Sequence, residues 1–309
     1  MYDSIIIGGG PAGLSAALVL GRARRRVLLL SDGPPRNAPA EAAHGFFTRD
    51  GTPPLELLRI GHEQLAAYET VEVRKIAATA AEKDEDGFII TLADGQQLRS
   101  RTLGLTTGIR DELPEIPGFN ELWGRGVYHC PYCHGWEVRD QRLAVFAKGD
   151  VAMHLAPLIR NWSRDITLIT NGPSGLTDVQ RTTLERLEIP LNETPVSHLN
   201  IESGALAAVA FTDGTELRLD GIFAATTLRP NNDLARQLGC DLVTEGMLTG
   251  HVTIDQRGQT SVPGVFAAGD VTTVLQQVVT AASSGALIGA QINFALVEAE
   301  IREVSASVH

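Results

Sequence analysis

The first 30 residues alternate between short apolar segments and one glycine-rich turn. Tyr2–Ile7 is mostly apolar and predicts a short buried strand, which runs into the turn at residues 8–13. Residues 14–20 predict an apolar helix, and Val27–Leu30 predicts a second buried strand. A strand, a helix and a strand within about 30 residues are typical of a βαβ unit. The sequence therefore predicts an α/β fold that opens with parallel strands.

The same pattern starts again after a break at Pro114, Pro117 and Gly118. Leu143–Phe146 and Ile166–Ile169 are apolar runs of strand length, and the stretch between them has a helical pattern. We interpret this second α/β unit as a smaller domain inserted into the first.

The last part of the chain has the features expected of a return to the first domain. Residues 265–270 predict a final strand with an acidic end, and residues 277–297 predict a long closing helix. We expect a two-domain, Rossmann-like α/β fold. The first domain comprises residues 1–113 and 247–309, and the inserted domain comprises residues 114–246.

Composition narrows the possible functions. The chain has 309 residues with 26 Lys and Arg against 37 Asp and Glu, which gives a formal net charge of −11. This charge argues against a general nucleic-acid binder, because attraction to phosphates needs clustered positive charge. The start lacks the pattern of a secretory signal, and no apolar run reaches the roughly 20 residues that cross a bilayer. We therefore expect a cytoplasmic protein without a membrane partner.

A glycine motif occupies the first turn. Gly8-x-Gly10-x-x-Gly13 lies between a predicted strand and a predicted helix, which is the context of a dinucleotide fingerprint. Its glycines permit a tight turn, close approach of a pyrophosphate and close helix packing. Asp32 follows the second strand, where an acidic partner of a ribose is expected. The alternatives are a purely structural glycine turn and a solvated Asp32.

The cysteines form the most specific local feature. Cys130 and Cys133 are separated by two residues and flanked by His129 and His134, whereas Cys240 is alone. In a reducing compartment a close pair is more often catalytic or metal-binding than structural. A zinc site needs about four ligands, and no second cysteine pair exists, so we predict no metal site. A zinc half-site and two inert buried thiols remain the alternatives.

Taken together, these motifs resemble the low-molecular-weight thioredoxin reductase family. The resemblance spans nearly the whole chain, from the glycine motif through Thr107-Gly108 and the cysteine pair to Gly269-Asp270 and Gln277. It implies an FAD/NAD(P) disulfide oxidoreductase fold, FAD as cofactor and a homodimer. The residues expected to bind the cofactor are Gly8, Gly10, Pro11, Ala12, Gly13, Asp32, Arg36, Asn37, His44, Thr107, Gly108, Gly269, Asp270, Gln277 and Val278.

The resemblance also implies roles for the residues around the cysteine pair. Cys130 matches the thiol that attacks the substrate disulfide, and Cys133 matches the thiol that sits against the flavin. The family has an acid directly after the second cysteine, where this chain has His134. Imidazole titrates near neutral pH and can transfer the same proton. We expect Cys130, Cys133 and His134 to be catalytic.

Three segments of the inserted domain depart from the family pattern. Residues 147–150 keep one glycine of a fingerprint, residues 170–175 lack Arg and Lys, and residues 225–231 lack glycine. We infer that NADPH binding is weak or lost. The alternative is a diverged but working site in which Lys148 meets a phosphate.

These departures resemble the dithiol oxidases that close disulfides in gliotoxin, holomycin and romidepsin. The segment with Arg36, Asn37 and His44 resembles the same branch. This resemblance implies that a small dithiol reduces the cysteine pair, the pair reduces FAD, and O2 is converted to H2O2. One alternative is a reductase of a thioredoxin-like protein, fed by NADPH or another donor such as ferredoxin. Another alternative is a flavin redox sensor without turnover.

Overall fold

The structure is a computed structural model that describes residues 1–307; positions 308–309 of the expected last segment lie outside it. The chain forms two compact units. The first unit comprises Met1–Ala38, Gly45–Arg110 and the chain from Leu228 onward, and the second comprises Pro39–His44 and Asp111–Thr227.

These bounds differ from the expected ones in three ways, of which the smallest is that the early segment of the first unit ends at Arg110 and not at residue 113. The return to the first unit comes at Leu228 and not after residue 246, and a short segment before residue 45 groups with the second unit. The early return follows from burial, because Leu234, Ala235 and Cys240 all join the core of the first unit. No strand-like hydrophobic pattern marks the residues between 228 and 246, so the sequence pattern alone does not show where the chain returns to the first unit.

The strands cover both units and are numbered in chain order. They are β1 (Tyr2–Ile7), β2 (Val27–Leu30), β3 (Val71–Arg74), β4 (Ala78–Lys83), β5 (Phe88–Leu92), β6 (Gln97–Leu105), β7 (Ile109–Glu112), β8 (Val127–Tyr128), β9 (Leu143–Phe146), β10 (Ile166–Ile169), β11 (Leu191–Asn192), β12 (Val196–Glu202), β13 (Ala205–Phe211), β14 (Glu216–Arg218), β15 (Gly221–Ala224), β16 (Thr227–Pro230) and β17 (Val265–Ala267).

The helices are numbered in the same way. They are α1 (Pro11–Arg22), α2 (Pro54–Leu65), α3 (Pro131–His134), α4 (Gly149–Ile159), α5 (Asp178–Arg186), α6 (Asp233–Gln237) and α7 (Val278–Ala306), with short 3-10 turns at Gly246–Leu248 and Asp270–Thr272.

A seven-stranded sheet forms the centre of the first unit. Its strand order is β3-β2-β1-β6-β5-β4, and β17 pairs in parallel with the second half of β6. The parallel register places Ile5 opposite both Leu28 and Leu103. Alternate residues of a strand point to opposite faces of the sheet. Ile5 and Ile7 therefore join one core cluster, whereas Ile6 joins the cluster beneath the helices.

Small residues bring α1 and α7 together on one face of this sheet. A Cβ on Gly285 would overlap the backbone of Ala12, and one on Gly289 would lie 2.9 Å from the Ala16 carbonyl oxygen. α7 is 29 residues long and longer than expected, since it continues to Ala306. By length and composition alone it could cross a membrane, with a mean hydropathy of 1.3 in its most apolar window, although core helices pass the same test.

The second unit contains two sheets. A parallel sheet has the order β11-β10-β9-β15-β8, and β12, β13 and β14 form an antiparallel sheet. Val145 in the central strand pairs with Leu168 on one side and Phe223 on the other. The carboxyl ends of parallel strands meet at one edge, so the loops after β9 and β10 are neighbours.

Residues 71–78 divide between two strands with different partners. β3 ends at Arg74 because it pairs in parallel with β2, and β4 begins at Ala78, where antiparallel pairing with β5 starts. The pattern within residues 71–78 does not show that residues 71–74 pair with β2 and that pairing with β5 starts at Ala78.

Candidate active site

The glycine loop of the first unit forms an open cradle. Gly8 has a φ of +115°, and a Cβ there would overlap the Thr106 carbonyl oxygen. A Cβ on Gly13 would overlap the Gly8 carbonyl oxygen, whereas a Cβ on Gly10 would meet nothing within 4 Å. Gly8 and Gly13 are therefore required for packing, and Gly10 faces open space that a ligand can enter.

The N-terminus of α1 completes this cradle. Gly10 is the N-cap and has no capping side chain, Pro11 is the first helical residue, and the first turn has no acidic residue. Such a terminus attracts a phosphate through its N–H groups and its positive partial charge. Asp32 is exposed just after β2, and Ala12 is buried in the first turn. The sequence predicted all four residues, and the structure places them around the carboxyl ends of β1 and β2.

Arg36 connects two segments that are far apart in sequence. Its Nη1 donates a 2.8 Å hydrogen bond to Oε1 of Gln276 and lies 3.7 Å from Oδ2 of Asp270. Because guanidinium only donates hydrogen bonds, the second amide atom of Gln276 must be the donor Nε2. That Nε2 is buried and has no hydrogen-bond partner among the described residues.

An unsatisfied buried donor next to a cradle for a dinucleotide marks a place for a ligand acceptor. FAD carries such acceptors on its ribityl and flavin groups, so the cradle and the unsatisfied amide fit this cofactor. The sequence motif assigned the role to Gln277, which is exposed at the N-cap of α7 next to Val278. Gln276 was missed because only its contact with Arg36 distinguishes it.

Thr107 and Gly108 are held by the returning chain. The Thr107 hydroxyl donates a 2.6 Å hydrogen bond to the Asn231 carbonyl, and Asn231 Nδ2 donates to the Thr107 carbonyl at 2.8 Å. Gly108 has a φ of +67°, which favours glycine. Gly269 also has a positive φ, and its N–H donates to the Ser284 hydroxyl at 3.1 Å. These contacts fix the strand ends that border the cradle.

In the second unit, Cys130 and Cys133 form a disulfide with Cα atoms 5.3 Å apart. Cys130 is the N-cap of α3, and both cysteines are half-buried. Gly135 leaves room for Trp162, since a Cβ there would lie 2.8 Å from the indole. The two-residue spacing thus brings the thiols together in one turn, as the sequence predicted.

His134 follows the second cysteine and is shielded from water. Its ring stacks on Tyr128 with centroids 4.7 Å apart, and both of its ring nitrogens are buried without a full hydrogen bond within residues 1–307. Burial lowers the pKa of His134, the Glu137 carboxylate raises it in part, His44 lowers it further, and the nearby Cys130 carbonyl slightly favours the charged form. The imidazole is therefore neutral at neutral pH and able to accept a proton.

His44 lies in the second unit beside Glu137. Its Nε2 is 3.4 Å from Oε1 of Glu137. The sequence assigned His44 to the cofactor, and that role stays a prediction. Glu137 itself was missed, because an exposed glutamate after a cysteine pair gives no signal until its neighbours are known. Asn37 is half-buried in the first unit.

Two exposed aromatic rings belong to the cysteine segment, Tyr132 between the cysteines and Trp136 three residues after Cys133. Tyr132 is 65% exposed and Trp136 is 66% exposed. Arg139 covers one side of the Trp136 indole, at 4.1 Å from the ring centroid, and Tyr132 makes an edge contact with Trp162. Large aromatic side chains at a surface often contact a ligand or partner.

A carboxylate occupies the position after β9 where a second dinucleotide would place its pyrophosphate. Asp150 lies in the first turn of α4, and its Oδ1 accepts a 2.9 Å hydrogen bond from Gln180 Nε2. The N–H of Gly149 donates to the Ser174 carbonyl at 2.9 Å. The loop thus uses one of its own donors internally and presents negative charge to any phosphate.

A second carboxylate, from the segment after β11, contacts the loop after β10. Glu193 Oε1 accepts hydrogen bonds from the Ser174 N–H at 2.7 Å and from Arg181 Nη2 at 2.8 Å. Arg181 Nη1 also donates to Oε2 of Glu193 at 3.1 Å. Arg181 and Ser174 hold the pKa of Glu193 at about 2. The carboxylate is therefore ionised throughout the neutral range.

The described residues contain no group of three or more His, Cys, Asp or Glu side chains that could hold a metal ion. His129 and His134, the possible partners of a zinc half-site, therefore form no such group with the cysteines.

Comparison with known proteins gives a consistent result. A family model described as pyridine nucleotide-disulphide oxidoreductase matches residues 2–285. Thioredoxin reductase sirT of Leptosphaeria maculans is 31% identical over 97% of this chain and 96% of its own. Thioredoxin reductase aclD of Aspergillus oryzae is 32% identical over 93% and 94%. The crystal structure of HlmI has a TM-score of 0.92 at 37% identity and covers 100% of this chain and 98% of HlmI. The predicted two-domain Rossmann-like fold is confirmed.

Proposed function

The chain belongs to the pyridine nucleotide-disulphide oxidoreductase family as a thioredoxin reductase-like FAD enzyme, and we propose that it oxidises small dithiols to disulfides. In this reaction the dithiol loses two electrons and two protons, and O2 takes up both to give H2O2.

The observation that carries the proposal is the pair of carboxylates at the NAD(P)-like loops. Asp150 and Glu193 place negative charge where a pyridine nucleotide would bring phosphates. Negative side chains at a phosphate site weaken binding by like-charge repulsion, because phosphate sites use N–H groups and basic side chains. Electrons therefore enter from a dithiol.

FAD supplies a two-electron carrier between the cysteine pair and oxygen. We propose that the glycine cradle of α1 holds its pyrophosphate and that Asp32 bonds its ribose. Arg36, Asp270, Gln276 and Gln277 would surround the remaining polar groups. This proposal uses the cradle that a Gly10 side chain would fill and the buried Gln276 amide that lacks an acceptor.

The thiol chemistry is a pair of exchange steps. A substrate thiolate attacks Cys130 Sγ, the Cys130–Cys133 bond breaks, and Cys133 leaves as thiolate. The second substrate thiolate then attacks the substrate sulfur bound to Cys130, which closes the product disulfide and releases Cys130. His134, neutral because it is buried, accepts a proton from the substrate thiols.

The exposed rings of Tyr132 and Trp136 support an apolar substrate. Both residues belong to the cysteine segment, and their exposed side chains offer apolar area without rearrangement. Aromatic contacts contribute about 0.5–1.5 kcal/mol beyond area burial. We propose that the scaffold of the dithiol packs against one of these rings.

A reductase of a thioredoxin-like protein is the second candidate. The names of the curated relatives favour it. Lys148, the N-cap of α4, would be its phosphate ligand if NADPH were the donor. A protein donor such as ferredoxin would bypass the pyridine nucleotide loops altogether.

Oxygen consumption tests the proposal. We expect the FAD-loaded protein to consume O2 and form H2O2 in equal amounts when given 1,2-benzenedimethanethiol or dithiothreitol. NADPH alone should produce neither change. A Cys133→Ser variant should lose turnover, whereas Cys240→Ser, at a buried thiol outside the pair, should retain it. Turnover with NADPH and thioredoxin, and none with dithiols, would contradict the proposal.

An apolar stripe on α7 supports a homodimer. Leu287, Phe294 and Ile301 repeat at seven-residue spacing, and Val297 and Val304 follow at the intervening positions of the heptad. All five are exposed, whereas the opposite face of α7 packs on α1. We propose that a second copy of the chain covers this stripe, because a heptad seam is self-complementary. We further propose a cytoplasmic location and no nucleic-acid partner, the latter because the net charge is −11.

A further inference from the structure

Glu193 has the surroundings that a bound phosphate would have. Three donors converge on its carboxylate, namely the Ser174 N–H and both Nη atoms of Arg181. A bidentate arginine joined by a backbone N–H is a common way to bind phosphate in proteins. Ser174 Oγ accepts a further 2.9 Å hydrogen bond from Arg181, which keeps the guanidinium in place.

This cradle lies where an NADP(H)-binding domain would bind the 2′-phosphate. Ser174 lies in the loop after β10, the second parallel strand of its βαβ unit. In a Rossmann-like domain this strand end meets the adenosine ribose and, for NADP(H), the 2′-phosphate. Glu193 comes from the segment after β11, which pairs with β10 at the edge of the sheet. The fold therefore brings a carboxylate from the neighbouring strand into the place of the 2′-phosphate.

We propose that Glu193 is an internal substitute for the 2′-phosphate and excludes NADPH from an anion cradle that Arg181 and Ser174 still form. The inference rests on the proposed function, because binding of NADPH would work against an enzyme that passes electrons from a dithiol to O2. NADPH would reduce the cysteine pair through FAD, and the reduced pair would reopen the product disulfide. Excluding the nucleotide keeps electron flow in one direction.

The cradle is close to the surface. The side chains of Arg181 and Glu193 are 38% and 36% exposed. Removing the carboxylate should therefore leave donors that a dissolved anion can reach. The matched control is Asp213, which accepts hydrogen bonds from the Thr215 N–H and hydroxyl and contacts no arginine among the described residues of its turn.

Thermal unfolding with added anions tests the proposal without using enzyme activity. The FAD-loaded wild type, Glu193→Ala and Asp213→Ala are heated with inorganic phosphate, and in parallel with adenosine 2′,5′-bisphosphate. We expect both anions to raise the Tm of Glu193→Ala by about 2–5 °C relative to chloride at equal ionic strength. Wild type and Asp213→Ala should not respond. Glu193→Ala combined with Arg181→Gln should lose the response.

Glu193→Gln provides a second reading if the alanine variant does not fold. It keeps the volume but removes the charge, so it should show the same response at smaller size. The proposal is overturned if wild type binds adenosine 2′,5′-bisphosphate, if folded Glu193 variants gain no anion response, or if the response survives loss of Arg181. Dithiol oxidation, measured separately in wild type, reports on the proposed function whatever the anion result is.

Discussion

The ring of His134 stacks on the ring of Tyr128, with centroids 4.7 Å apart and an interplanar angle of 23°. This contact, together with the burial of both ring nitrogens, keeps the imidazole away from water beside the disulfide. Burial also raises the pKa of Tyr128, to which the Glu137 and Glu41 carboxylates add. Tyr128 is therefore neutral in the working range and supports His134 without competing for its proton.

The pH dependence of dithiol oxidation should follow His134. Its lowered pKa keeps it a base at neutral pH, and protonation on acidification should slow the first exchange step. Glu137 favours the imidazolium, so Glu137→Gln should move the acid limb of kcat/KM to lower pH. His44 disfavours it, so His44→Gln should move the limb to higher pH. Shifts in the same direction for both variants would contradict this assignment, and Asp140→Asn serves as an exposed control.

Gly10→Ala should separate cofactor binding from folding. A methyl group at this position meets nothing in the protein but projects into the space where a pyrophosphate approaches. We expect the apoprotein of this variant to unfold within about 1 °C of wild-type apoprotein, while its FAD affinity falls at least tenfold. Apoprotein titrated with FAD and followed by flavin fluorescence gives the affinity. Gly33→Ala, also with open space around its Cβ, should bind FAD normally.

Gln276→Leu should weaken FAD binding about three- to tenfold. The variant removes a buried donor that a cofactor acceptor would satisfy, and a net hydrogen bond contributes about 0.5–1.5 kcal/mol. Gln256→Leu, an exposed glutamine of the same unit, is the control. Equal affinities for Gln276→Leu and wild type would show that this amide does not face the cofactor.

Phe294→Glu should convert a dimer into a monomer. Phe294 is 61% exposed at the centre of the α7 stripe, and a carboxylate there would be buried against the second copy at high cost. Sedimentation equilibrium of wild type, Phe294→Glu and Met247→Glu measures the mass. Met247 is 85% exposed away from the stripe and should leave the dimer intact. A monomeric wild type would overturn the proposed interface.

The hydrophobic pattern of the sequence predicts those elements whose structure depends on neighbouring residues in the chain. β1, β2, β9 and β10 match their expected bounds, because buried parallel strands are continuous apolar runs between turns. The glycine loop also follows from sequence, since only glycine tolerates the backbone contacts at Gly8 and Gly13.

Contacts between distant segments were not predictable. The bond from Arg36 to Gln276 and the Ser174–Glu193 bond both join residues from different elements. The sequence assigned Arg36 to the cofactor but gave no sign of its contact with Gln276, and it gave no sign of the contact between Ser174 and Glu193. The early return at Leu228 was hidden for the same reason, because burial of α6 in the core of the first unit leaves no periodic pattern of strand length.

The most direct test of the proposed direction of electron flow is an anaerobic titration of the oxidised, FAD-loaded protein. Flavin absorbance is followed by stopped flow after mixing with 1,2-benzenedimethanethiol and, separately, with NADPH. We predict that the dithiol bleaches the flavin with one equivalent of substrate, and that NADPH at the same concentration leaves it oxidised. Rapid bleaching by NADPH, with no reaction of the dithiol, would contradict the account.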